Sequence, residues 1–274
     1  MKTLVTGSNR SGSWEIRGEQ LGAAIGATVR NKVRDAKGFD RVILVKRAYL
    51  EERAKAHLVW DIVDAWPQPD GNSWGREALI SWMTTWARRH KVHALVAATE
   101  KMAEDLLPLG LPTIALPHHH RPDIVINPIR RKVRRIGYEG APHYLGKWEA
   151  ILRQQCASRE WEFVLNPEDL AEVDIVVALR DMNGYAPRHW KSNVKLANAQ
   201  GSGTPVILTP EAGYMETQSG VEYFVETKDE LENALELLTV YERRVTISSK
   251  LRSAAPELNA IARRYGNWLE TSKF

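Results

Sequence analysis

The chain has 274 residues, of which 43% are hydrophobic and 26% charged, with a net charge of +4 and one cysteine, Cys156. That length suits two domains of ordinary size or one large α/β domain, and a single cysteine excludes an intramolecular disulfide. No apolar run approaches the ~20 residues of a membrane-spanning helix, and the opening MKTLVTGSNR is too short in apolar residues for a signal peptide, so the expected compartment is the cytoplasm.

Lys2 to Thr6 reads as an apolar strand, Gly7-Ser8-Asn9-Arg10-Ser11-Gly12-Ser13 as a small-residue loop, and Trp14 to Ile25 as a helix. Strand, glycine-rich loop and helix open nucleotide-type α/β folds, although the spacing here is not GxGxxG and a dinucleotide fingerprint is absent. Arg41 to Val45 is a second strand, followed by a helix over Tyr49 to Lys55 and a third strand over His57 to Val63. Asp61 and Asp64 come at its carboxyl end. Asp64 there can act as a general base toward a hydroxyl or cap the turn-rich loop Trp66-Pro67-Gln68-Pro69-Asp70-Gly71.

A long helix is predicted from Ser73 to Arg89, then a strand from His93 to Ala97, a helix from Glu100 to Leu107 and a strand from Thr113 to Leu116. Trp74, Trp82 and Trp86 fall at helical spacing and read as packing. The run His118-His119-His120 invites a metal, but consecutive residues of an extended chain point in alternating directions and do not converge on one ion, so no metal is expected. His118, at the exit of the last strand, is a candidate to meet a phosphate or a hydroxyl.

A linker spans Pro122 to Pro128, and the strand-helix alternation restarts at Val133. Across that restart runs a basic stretch, Arg130, Arg131, Lys132, Arg134 and Arg135, able to meet nucleic acid or an anionic membrane surface and otherwise a solvated face. Strand Val133 to Tyr138 leads through Gly140 into a helix from Tyr144 to Ser158; strands follow at Glu162 to Leu165 and Val173 to Ala178, then a loop from Arg180 to Pro187. Next comes HWKSNVKLANAQGSGTPVILTPEAGYME, residues 189–216. Ser192 is the expected N-cap of a helix carrying Lys191, Lys195 and Asn198 on one face, where the first-turn N–H groups and the helix dipole favour a phosphate. Strand Pro205 to Leu208 feeds a loop with Glu211, Gly213 and Tyr214. A strand at Tyr223 to Val225 and helices over Asp229 to Leu238, Tyr241 to Leu251 and Pro256 to Glu270 complete the chain.

The residues Gly203-Thr204-Pro205-Val206 and Gly213-Tyr214-Met215-Glu216 give this stretch its resemblance to the GT-B glycosyltransferases related to glycogen synthase. The resemblance implies two Rossmann-like α/β domains facing across a cleft, here 1–125 and 126–274, with the last helix crossing back to the first. It implies a nucleotide-sugar co-substrate, no other cofactor, and metal-independent, retaining transfer in which the leaving phosphate takes the acceptor's proton. Donor contacts are then expected from Ser11, Gly12, Arg17, Tyr138, Gly140, Arg180, Ser192, Lys195, Asn198, Glu211, Gly213 and Tyr214, and catalytic roles from Asp64, His118 and Lys191. Where many such enzymes carry two glutamates eight residues apart, this chain has Trp190 and Asn198. Two alternatives stay open: a phage-type DNA glycosyltransferase acting on a hydroxymethylated base through the basic run, and a non-catalytic nucleotide-binding module.

Overall fold

A computed structural model of the chain describes residues 1–8, 11–51, 55–64, 74–181 and 184–272. They form two compact units. The first comprises Met1–His118, Asn183–Ser192 and Glu257–Phe274; the second comprises His119–Met182 and Asn193–Pro256. The first unit thus includes 183–192, which a division at residue 125 assigns to the second half, and 257–274, the last helix, which is expected to cross back.

The first unit is built on a wholly parallel sheet: β1 (Thr3–Thr6), β2 (Thr28–Val29), β3 (Arg41–Val45), β4 (His57–Asp61), β5 (Ala94–Ala97) and β6 (Thr113–Ala115), in the order β2-β1-β3-β4-β5-β6. Every residue of β3 and β5 is buried, as expected of parallel strands covered on both faces. On one face Trp60 stacks on Trp86 at 3.9 Å and tilts against Trp82 at 6.4 Å, with Trp74 packed on the same cluster. On the other face, Ile261, Tyr265 and Leu269 of the helix Leu258–Thr271 pack against Val5, Ile43 and Val96.

The second unit has five parallel strands, β7 (Arg135–Tyr138), β8 (Glu162–Leu165), β9 (Ile175–Ala178), β10 (Val206–Leu208) and β11 (Tyr223–Phe224), ordered β11-β10-β9-β7-β8. Its core runs from Trp148 and Leu152 through Val177 and Ile207 to Leu235 and Leu251. In both sheets the chain adds a strand on one side of the first and then crosses to the other. Strand order therefore reverses between β1 and β3 and between β7 and β9, and ligands of open α/β sheets sit at the carboxyl ends beside such points.

Three expected elements change. Residues 49–51 and 55 of the expected helix Tyr49 to Lys55 are not helical, and 52–54 lie outside the described residues, as does the loop Trp66 to Gly71. The loop Arg180 to Pro187 gives way to a helix, Tyr185–His189. The lysine helix starts at Val194 with Asn193, not Ser192, at the N-cap, so Lys191 precedes it.

Candidate functional site

At the β7/β9 reversal of the second unit, the strands end on Tyr138 and Ala178, and the residues just beyond them carry the charge. Lys195, in the first turn of the helix Val194–Ser202, places its Nζ 4.1 Å from the centre of the Tyr138 ring, a cation–π contact. Burial pushes the Tyr138 hydroxyl up to about 12, against the pull of Arg180, so the ring is neutral. Gly140 follows at φ 130, and a Cβ there would lie 3.1 Å from the Lys195 Nζ. A glycine both reaches that conformation and leaves room for the ammonium.

Arg180, next along from β9, donates from Nε to Glu211 Oε1 at 2.9 Å and lies over the Tyr144 ring at 4.9 Å. The Glu211 side chain is 1% exposed. Burial works against the arginine's charge, but Glu211, with Tyr214 and Tyr138, raises the guanidinium above its ordinary value. Tyr214 is buried beside the pair, and burial raises its hydroxyl well above the usual range. Asn198, on the lysine helix, accepts from the Arg121 N–H at 3.1 Å and donates to Glu139 at 3.4 Å. Burial raises the Glu139 carboxyl, opposed by Arg121 and then by Asn198 and Lys195.

In the first unit a second cluster forms around one carboxylate. Asp64 lies 3.1 Å from Lys46 Nζ and 3.6 Å from Lys191 Nζ. Backbone strain presents it: Val63 has φ 73, and the Asp64 N–H donates to the Ile62 carbonyl at 2.9 Å across it, a turn that a β-branched residue rarely adopts. Lys46, at the carboxyl end of β3, also has a left-handed φ of 57, and its N–H donates to the Asp61 carbonyl at 2.7 Å. Such conformations cost about 1–3 kcal/mol each and persist where the surroundings over-determine them. Burial works to raise the Asp64 carboxyl, but Lys191, Lys46 and, more weakly, His118 overcome it and hold it at about 2. A carboxylate that acidic is ionised throughout the physiological range and is a weak proton acceptor. The geometry therefore suits Asp64 to fixing two ammonium groups better than to general-base work.

The expected set divides accordingly. Tyr138, Gly140, Arg180, Lys195, Asn198, Glu211, Gly213 and Tyr214 lie in the second unit, whereas Asp64, His118 and Lys191 lie in the first. Lys191 and Lys195 do not share a helical face, because the helix Tyr185–His189 ends on Trp190, whose indole donates to Asp105 at 2.9 Å and holds that segment in the first unit. Ser192 stands one residue ahead of the N-cap, Asn193. Arg17, expected in a phosphate-facing loop, is 2% exposed, donates to the Leu116 carbonyl and sits 3.9 Å from Asp61. A π-helical stretch, Glu15–Gln20, interrupts its helix, and Arg17 is among the residues it buries. Ser11 caps that helix, accepting from the Trp14 N–H at 3.4 Å, and Gly12 is in its first turn. His119 and His120 each meet a neighbouring backbone carbonyl, at 2.7 and 2.6 Å. Among the described residues no group of three or more His, Cys, Asp or Glu side chains is arranged to hold a metal ion. Two residues escaped sequence reasoning, Lys46 and Glu139. Each directly follows a strand, a position that itself is a signal in a parallel sheet.

No family model matches the chain, and no curated protein matches it in sequence. Solved structures do match in fold. HepE of Anabaena, solved in complex with UDP-glucose, superposes with a TM-score of 0.68 over 99% of this chain and 100% of its own, at 10% identity. AviGT4, a glycosyltransferase involved in avilamycin A biosynthesis, gives 0.60 over 97% of each chain at 14% identity. An α1,3-fucosyltransferase solved with GDP-fucose gives 0.54 over 100% of this chain and 93% of its own, at 9% identity. Two parallel α/β sheets of this order, matched over nearly the whole chain, give the protein the fold of the GT-B glycosyltransferases.

Proposed function

We propose that the chain is a glycosyltransferase that moves a sugar from a nucleotide-sugar donor to an acceptor hydroxyl. The observation that carries this reading is the charged set at the β7/β9 reversal: Lys195 over the Tyr138 ring beside Gly140, with the buried Arg180–Glu211 pair alongside. Structural neighbours solved with UDP-glucose and GDP-fucose support the donor class. In this reading Lys195 and the first-turn N–H groups of the helix Val194–Ser202 take the diphosphate, and Tyr144 and Arg180 border the base. Asn198 and Glu139 together stand in for the ribose-binding carboxylate that the resemblance places at position 198. Negative charge grows on the diphosphate as the bond from the anomeric carbon breaks, and a fixed ammonium stabilises it there without a divalent cation. We take the transfer to be retaining, the leaving phosphate oxygen accepting the proton of the attacking hydroxyl. The low basicity of Asp64 supports a route that needs no separate base. A modified DNA base as acceptor rests on the basic run alone, where Arg130 and Arg135 are already engaged by Asp174 and Glu162.

The test is a panel of nucleoside diphosphates and nucleotide sugars, read by thermal shift and by diphosphate release with and without acceptors. A true donor at ~100 times its dissociation constant stabilises by ~2.7 kcal/mol. Stabilisation and release by one nucleotide series is the expected result. A panel without either effect would overturn the reading, and binding without release would favour the non-catalytic module.

A further inference from the structure

The basic run that sugar transfer leaves unused lies wholly in the second unit, and the structure separates its spent charge from its unspent charge. Arg130 pairs with Asp174 at 3.3 Å and donates to the Ala171 carbonyl at 2.8 Å; Arg135 pairs with Glu162 at 2.8 Å. Arg131, Lys132 and Arg134 are exposed, and Arg131 lies over the Tyr241 ring at 5.4 Å. Tyr241 opens the helix Tyr241–Ser253. That helix is fastened to the basic run by Arg244, wholly buried, which donates to the Arg130 and Arg131 carbonyls at 2.8 and 3.0 Å.

Tyr241, Val245, Ser249 and Arg252 recur along one face of this helix and, with Asn127 to Ile129, line a groove of about 610 Å³. Among the described residues no acidic side chain lines it. Glu242, the nearest carboxylate on the helix, lines a different cavity together with Arg243 and Thr246. Three aliphatic side chains on or next to the groove stand in water: Val245 is 42% exposed, and Val125 and Ile126, just ahead of Asn127, are 53% and 51% exposed.

We propose that this surface docks the protein on an anionic lipid bilayer. Positive charge alone fits any polyanion, but a nucleic-acid backbone leaves Val125, Ile126 and Val245 in water. A bilayer interface takes both components: its anionic headgroups attract the arginines and lysines, and its acyl boundary buries the aliphatic side chains. Tyr241, with an apolar ring and a polar tip, suits the boundary between them. The serines facing the groove, Ser248, Ser249 and Ser253, supply hydroxyls of the kind that meet headgroup phosphate oxygens. Among the described residues no helix is long and apolar enough to cross a membrane, so this is attachment to a surface.

The proposal is independent of the transfer reading, and its test uses the full chain with vesicles of phosphatidylcholine alone or mixed with phosphatidylserine. Co-sedimentation is expected with the mixed vesicles and not with phosphatidylcholine alone. Each basic residue near an anionic surface contributes roughly fivefold in partitioning, so Arg131→Ala with Lys132→Ala should lower it roughly twenty-five-fold. Val245→Asp, at an exposed position, should weaken binding further while leaving nucleotide affinity and melting temperature unchanged. The proposal is overturned if the mixed vesicles do not retain the wild type, or if the double variant sediments like it. It is also overturned if Val245→Asp has no effect while duplex DNA displaces the vesicles, which would assign the surface to nucleic acid.

Discussion

The two sheets share a strand order and a reversal point, yet the charges beyond their strands are held in opposite ways. In the first unit one carboxylate, Asp64, gathers two ammonium groups, and the backbone on both sides is strained to bring them together. In the second unit Lys195 lies over the Tyr138 ring and Arg180 over the Tyr144 ring, and Arg180 is also paired with the buried Glu211. An aromatic face orients an ammonium without neutralising it, whereas a carboxylate spends its charge. The same topology therefore builds a carboxylate-centred ion cluster in one unit and a cation set laid over aromatic rings in the other.

The largest effect should come from breaking the buried Arg180–Glu211 pair beside the second unit's reversal point. Arg180→Ala leaves Glu211 buried without its counter-charge and should cost about 3–5 kcal/mol in urea unfolding, with much of it recovered by adding Glu211→Gln. A cost below about 1 kcal/mol would mean that the pair is solvated and the contrast between the units overstated.

The next effect sharpens the first unit. The Asp64 carboxyl is depressed to about 2 in the folded protein from an ordinary value of 3.8, so its contribution to stability is complete above about pH 4 and disappears as pH falls toward 2. Integrated, that is about 2 kcal/mol. Asp64→Asn should remove this part of the acid-side slope in denaturant melts between those limits. An unchanged slope would show that the two lysines do not hold the carboxylate.

The smallest effect separates ring from hydroxyl. The Tyr138 hydroxyl makes only a 3.4 Å contact with the Ala141 carbonyl, so Tyr138→Phe, which keeps the ring under Lys195, should change stability and nucleotide affinity by less than ~0.5 kcal/mol. A loss of tenfold or more in affinity would transfer the role from the aromatic face to the hydroxyl.

Much of the fold is legible in the sequence because buried parallel strands are near-continuous apolar runs: Arg41 to Val45, buried throughout, is a strand with the expected bounds. The two-residue strand Thr28–Val29 is not, since it exists only through its pairing with β1. Periodicity also does not say on which sheet a helix packs. Nothing local marks Tyr185–His189 as part of the first unit; four donors converging on Asp105, from Arg76, Lys101, Tyr185 and Trp190, decide it. The same convergence places Lys191 in the first unit and not on the lysine helix. Arg17 is buried within a π-helical turn, which shifts the residues of a helix that face inward and has no sequence signature. Lys195, Arg180 and Glu211 could be singled out because each follows a strand end or opens a helix.

We propose that the anionic ligand is held by the second unit's cations and not by the first unit's cluster. Calorimetric titration of UDP into the wild type, Lys195→Ala and Lys46→Met tests it most directly. A charge-assisted hydrogen bond contributes about 1.5–3 kcal/mol, so Lys195→Ala should bind UDP roughly ten- to a hundredfold more weakly, while Lys46→Met, which removes a cation already held by Asp64, should bind as the wild type does. Wild-type affinity in Lys195→Ala with a large loss in Lys46→Met would assign the ligand to the first unit's cluster instead.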